Sequence, residues 1–226
     1  MVRGDGIVNY MIRVNHKNID GGPLRGTQYS LEKACNKCGS GALRISPLIL
    51  PLSSSTKNKM FATLDREIII SEELRDELIN HGINCFDQVL NTKKSFVPFY
   101  VLVPELVLPP FSQNTKGFER ERACAVCGRD GYFNIPRVPL EIHYDNIEEA
   151  TKSKDLLCTY ELFGISIVRE PFKESAFAAP KHIISERFKE ILEKMKVKNI
   201  DFEPVFFDRF ALCDVAWRKY RRKSPI

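Results

Sequence analysis

The chain has no apolar run that could cross a bilayer. Its longest apolar stretch, Phe96 to Phe111, contains Glu105 and four prolines and is too short and too broken to span. The opening residues, Met1-Val2-Arg3-Gly4-Asp5-Gly6, hold no hydrophobic signal-peptide core, so the sequence predicts a cytoplasmic protein with no membrane partner. Excess charge is small: the net value is +5, too mild to argue for nucleic acid by itself. Histidine is scarce. His16, His81, His143 and His182 are the whole supply, and none sits in a recognisable catalytic context. The glycines at Gly4, Gly6, Gly21, Gly22 and Gly26 form neither GxGxxG nor a Walker-type loop, which excludes those phosphate cradles. Glu72-Glu73 and Glu148-Glu149 are adjacent carboxylates that diverge on a helix, so they read as solvated faces and not as acid/base pairs. With no nucleophile–base pair in view, the sequence predicts a protein that is not an enzyme.

What is present is an ordinary globular composition, 43% hydrophobic and 28% charged over 226 residues, enough for a proper core. Against it stand two copies of one phrase: Ala34-Cys35-Asn36-Lys37-Cys38-Gly39 and Ala123-Cys124-Ala125-Val126-Cys127-Gly128. Each is a CxxCG knuckle, and 85 residues separate Cys38 from Cys124. Two thiolates two residues apart grip one metal from a tight turn, and the following glycine permits the left-handed backbone that closes it. Together, Cys35, Cys38, Cys124 and Cys127 make the tetrahedral sulfur set that zinc prefers in a reducing compartment. Four cysteines leave no open coordination position, so this Zn2+ is expected to be structural. A redox pair is the weaker reading, because glycine and β-type sequence follow both knuckles where a redox motif opens a helix. Iron–sulfur ligation fits the residue count as a further alternative. Cys85, Cys158 and Cys213 stand alone in apolar surroundings and read as core thiols.

A second phrase also recurs. Ile69-Ile70-Ser71-Glu72-Glu73-Leu74-Arg75-Asp76-Glu77-Leu78 parallels Ile183-Ile184-Ser185-Glu186-Arg187-Phe188-Lys189-Glu190-Ile191-Leu192. Both predict a strand end, a serine N-cap, an acidic first helical residue and an amphipathic helix, with Leu74/Leu78 and Phe188/Leu192 as the buried stripes. Gly82 to Val89 and Val197 to Val205 then read as a turn and a strand. The expected fold is therefore α+β: two diverged repeats of a knuckle, strand and capped-helix unit, about 28–90 and 118–207, joined by a zinc-ribbon-like four-cysteine site into a single zinc-stabilised domain over 1–226. Cys35 to Ser71 spans 36 positions and Cys124 to Ser185 spans 61, which places an insertion around Asp145 to Asp155.

The other segments are mostly β. Gly39 to Ile45 and Gly131 to Ile135 read as ribbon strands after the knuckles, and Tyr160 to Ile167 as a strand. Phe96 to Leu108, rich in β-formers but punctuated by proline, reads as an edge or bent strand. Asn146 to Lys154 suits a short helix, and Pro51 to Lys59 a loop. Residues 214–226 form a basic tail with Trp217 and Tyr220, expected to be a solvated terminal segment; stacking on nucleic acid is the alternative use of such residues.

The two knuckles, the chain length, the helix start Ile184-Ser185-Glu186-Arg187-Phe188-Lys189 and the following Phe202-Glu203-Pro204-Val205 together resemble the bacterial double-CxxCG motif proteins, immunity proteins of polymorphic toxin and contact-dependent exclusion systems. The resemblance covers roughly Gln28 to Phe207. It implies a small cytoplasmic protein that binds and neutralises one cognate toxin protein, and of named residues it carries over only the four cysteines. The positive net charge and the long basic C-terminus depart from the acidic face expected of an inhibitor of a basic nuclease. The competing reading is a nucleic-acid-binding zinc-ribbon protein.

Overall fold

Two serines start the two described helices of the computed structural model. Ser71 and Ser185 hold extended backbone (φ −75°, ψ 161° and φ −69°, ψ 161°), and their hydroxyls accept from Leu74 N and Phe188 N. These bonds satisfy donors that the first helical turn leaves free, and Glu72 and Glu186 add negative charge at the positive end of the dipole. Helices α1 (Glu72–Asn80) and α2 (Glu186–Lys194) follow. Leu74, Leu78, Phe188 and Leu192 are wholly buried, as their spacing requires. The structure describes residues 9–22, 25–37, 39–53, 56–118, 123–129, 140–145, 147, 151, 153–163 and 179–207. Cys38, Cys213, the 131–135 ribbon strand, most of the 146–154 segment and the 214–226 tail lie outside the described residues.

The strands are β1 (Asn9–Val14), β2 (Tyr29–Ser30), β3 (Leu43–Arg44), β4 (Leu48–Leu50), β5 (Met60–Ala62), β6 (Ile68–Ser71), β7 (Phe86–Asn91), β8 (Phe96–Leu102), β9 (Leu106–Val107), β10 (Ile142–His143), β11 (Leu156–Cys158), β12 (His182–Ile184) and β13 (Ile200–Phe206). They form a six-stranded sheet ordered β10-β13-β1-β12-β11-β9, a five-stranded sheet ordered β4-β7-β8-β6-β5, and the two-stranded ribbon β2-β3. The class is mixed α+β. In the five-stranded sheet β4 and β7 are parallel and every other pairing is antiparallel. Along β10-β13-β1-β12-β11 the pattern is the same, with β10 and β13 parallel and the rest antiparallel.

Side-chain alternation sorts the core into layers. Ile12, Val14, Met60, Ile68, Ile70, Tyr100, Leu156 and Ile184 face one cluster shared by both sheets and both helices. Their neighbours point the other way. Phe61, Ile69, Phe99 and Val101 pack under the five-stranded sheet, while Met11, Leu157, Ile183 and Val205 pack under the six-stranded one. Both sheets thus bury both faces.

Two β expectations need correction. Phe96–Leu102 is not an edge strand but the central strand of its sheet. Pro98 is tolerated because the register slips between Gln88 and Leu90, so the missing N–H falls in a bulge. The chain does bend afterwards, crossing to the other sheet as β9. Tyr160–Leu162 is not strand either; the strand lies just before, at Leu156–Cys158, and Phe163 makes a single bridge to Ala179. Buried side chains replace the ladder there. Thr159 Oγ1 donates to the Glu161 carbonyl at 2.8 Å, and the Glu161 carboxylate accepts from Phe111 N at 2.6 Å. Residues 164–167 lie outside the described residues.

Candidate metal centre

Each knuckle is shaped by the same pair of backbone bonds. Gly39 N donates to the Cys35 carbonyl at 2.9 Å and Cys35 N to the Ser40 carbonyl at 2.7 Å. Gly128 N donates to the Cys124 carbonyl at 2.8 Å and Cys124 N to the Arg129 carbonyl at 3.0 Å. Closing a turn this tightly drives the glycines to φ 67° and 70°, a left-handed conformation that side chains with a Cβ resist.

The fold brings the two turns face to face. Cys35 Sγ lies 3.8 Å from Cys124 Sγ, although 89 positions separate them in the chain. The sulfurs of Cys35, Cys124 and Cys127 all lie within 4.8 Å of one another. Metal–sulfur bonds of about 2.3 Å directed to tetrahedral corners require sulfur–sulfur edges of about 3.8 Å. The Cys35–Cys124 spacing therefore fits two ligands of one zinc-sized ion, and it is far too long for a disulfide bond of about 2.05 Å. Three of the four predicted ligands are thus gathered, close enough to hold a metal ion. The fourth, Cys38, lies outside the described residues. Among the described residues no other cluster of histidine, cysteine or carboxylate side chains has metal-binding spacing.

The surroundings hold the turns together. Cys124 is buried, Cys127 is exposed, and Leu162 packs against Cys124 and Cys35. Arg129, the residue after the second knuckle's glycine, donates through Nη1 to Ser40 Oγ at 2.7 Å, and Ser40 is the residue after the first knuckle's glycine. Its guanidinium also lies 4.6 Å from the Tyr160 ring centre and donates to the Tyr160 carbonyl. The sequence pattern had pointed only to the cysteines; the matching positions of Ser40 and Arg129 after each CxxCG were the available signal.

The lone thiols behave differently. Burial pushes Cys85 up to about 12 and Cys158 up to about 11, so both stay protonated at neutral pH and unreactive. No described helix is long and apolar enough to cross a membrane. Comparison with known proteins gives no match, either to a protein-family model or to a curated protein sequence.

Proposed function

We propose that the chain is an immunity factor: a cytoplasmic protein that binds and neutralises a cognate toxin, performs no catalysis, and is held in shape by one structural zinc on Cys35, Cys38, Cys124 and Cys127. The observation that carries the zinc is the 3.8 Å approach of sulfurs from two knuckles of matched geometry. Zinc there would neutralise the thiolates and tie distant segments together, with binding energy that counts as folding energy. A four-sulfur shell offers no site for substrate, which favours a binding role over chemistry. The toxin as partner rests on the double-CxxCG resemblance and on the capped helix and strand at Ile184–Val205 that form part of it. Co-expression with the product of the neighbouring gene is the test: rescued growth and a co-purified complex support the reading. Salt-sensitive binding to DNA or RNA with no protein partner would instead favour the zinc-ribbon alternative.

The same reading includes an internal duplication, with a different cut from the one the sequence suggests. The first copy runs from Thr27 to Leu102. The second runs from Thr115 to Phe206 and takes its central strand, β1, from the far N-terminal end of the described chain. Side chains support this alignment. Ile70 pairs with Tyr100 and Ile184 with Tyr10. The Tyr100 ring carries Arg75 at 4.2 Å and Phe86 at 6.0 Å, while the Tyr10 ring carries Lys189 at 4.9 Å and Phe202 at 6.3 Å. Arg75 and Lys189 each follow the capping serine by four positions. Thr63 Oγ1 accepts from Glu67 N at 3.1 Å and Thr159 Oγ1 from Lys181 N at 3.0 Å. Thr27 and Thr115 hydroxyls accept from Ile49 N and His143 N, both at 3.0 Å. These register-matched contacts are what supports the duplication.

A further inference from the structure

Where the two sheets meet, His16 bridges to Ala62 and opens a recess whose lining includes Ile12, Val14, Arg13, Arg66, Lys181 and His182. The floor is aliphatic and the rim is basic, and no carboxylate is among the lining residues. Each basic group has a definite state. Arg13 is matched by Glu203 at 2.6 Å. Arg66 donates to the Phe163 carbonyl, a neutral partner, and makes no ion pair among the described residues. The Lys181 ammonium sits over the Phe163 ring at 5.8 Å and makes no hydrogen bond within the described residues. The His182 ring is 7% exposed and is likewise without a hydrogen bond there.

Two cations with no ion pair among the described residues, Glu203 acting on Lys181 only while paired to Arg13, are costly beside a buried polar ring unless something joins them. Burial and the neighbouring Arg66 and Arg13 charges lower Lys181 to about 8 against the opposing pull of Glu203, and burial followed by Lys181 lowers His182 to about 4. Burial is the first cause of both shifts, and neighbouring positive charge adds to each.

We propose that this recess is a binding site for a phosphate-class oxyanion, held by Lys181 and Arg66 with His182 as a further hydrogen-bond partner. Such an anion would complete the charge balance and accept charge-assisted bonds from both side chains. The site is separate from the cysteine centre and does not depend on what the protein neutralises.

The test is a titration of the purified full-length protein with inorganic phosphate, against sodium chloride at equal ionic strength. Phosphate should raise the melting temperature saturably where chloride does not, and Lys181→Met and Arg66→Gln should each weaken apparent affinity by about tenfold or more. In the wild-type protein the His182 ring resonances should shift saturably along the same isotherm, a readout that needs no variant to fold. Equal stabilisation by chloride, or His182 resonances that stay fixed under phosphate, would overturn the assignment.

Discussion

Glu67 and Lys181 occupy matched places in the two sheets, each donating its backbone N–H to a buried threonine hydroxyl just after the neighbouring strand. Their surroundings diverge. Glu67 faces Arg44 of the β2-β3 ribbon at 3.7 Å, and Arg44 also reaches Asp87 at 3.2 Å, so carboxylates at the first sheet are met by a ribbon arginine. In the second, Glu203 pairs with Arg13 and also pulls on Lys181, which lies beside Arg66. One position away the contrast repeats: Ile68 pairs with Ala62 in a purely aliphatic step, while His182 pairs with Cys158. The backbone pattern is common to both, so the ladders and caps set the fold and the side chains at the seam are free to specialise. A salt-bridge cluster with the ribbon beside one strand start and a basic recess beside the other mark the difference.

The largest test of the comparison is to remove what joins its two sides. Cys124→Ser deletes the buried sulfur that faces Cys35. A structural zinc supplies on the order of 10 kcal/mol of folding free energy, comparable to the whole stability of a domain. Metal analysis should fall from near one equivalent of zinc to near none, with loss of solubility or of a cooperative melt. Wild-type protein that purifies metal-free and fully stable would sink the zinc reading, and two equivalents would mean that each knuckle holds its own ion.

A sharper test makes the second sheet like the first at one position. His182, held down to about 4 by burial and then by Lys181, resists protonation in the folded state. The unfolded chain takes up that proton near pH 6.5. The folded pKa is the lower one, so the stability from keeping His182 neutral is full above about pH 6.5 and drains away as pH falls toward 4. His182→Ile should abolish that loss, on the order of 3 kcal/mol across the window, with little effect at pH 8. Chemical denaturation of both proteins from pH 8 to 4 gives the difference curve, and parallel curves would refute the assignment.

How much of this was legible in the chain depends on the range of each interaction. The capped helices were readable because a serine hydroxyl, an acidic first turn and an apolar stripe all lie within a few residues. The knuckles were readable for the same reason, down to their glycines. The role of Asn9–Val14 was not, because a central strand is recruited by partners at Ile183–Ile184 and Ile200–Val205, far along the chain. A faint trace exists: Tyr10-Met11-Ile12 repeats the pattern of Tyr100-Val101-Leu102, and only strand register gives it meaning. Phe96–Leu102 misled for a related reason. Pro98 argues for an edge when read alone, and only the bulge that contains it explains its place at the centre. The ends of Tyr160–Leu162 were obscured by Thr159 and Glu161, whose side chains take over bonds that a ladder would have made.

The finest test concerns how the two helices stop. After α1, Gly82 N donates to the Ile79 carbonyl at 2.8 Å and Ile83 N to Leu78 at 2.9 Å. After α2, Lys196 N donates to Glu193 and Val197 N to Leu192, both at 3.0 Å. These are the paired bonds of one helix-ending motif, which requires left-handed backbone at its first non-helical residue. Gly82 meets the requirement at φ 77°; Lys196 meets it at φ 52° while carrying a Cβ. A Cβ added to Gly82 would touch nothing within 4 Å, so Gly82→Ala isolates the backbone penalty, and it should cost about 1 kcal/mol. Lys196→Gly relieves the same penalty but frees the unfolded chain, which returns about half of the gain. The expected net is a stabilisation of about 0.5 kcal/mol. Opposite signs in matched denaturant melts would establish that both helices end by the same mechanism; a destabilising Lys196→Gly would mean that the lysine side chain contributes more in place than its backbone strain costs.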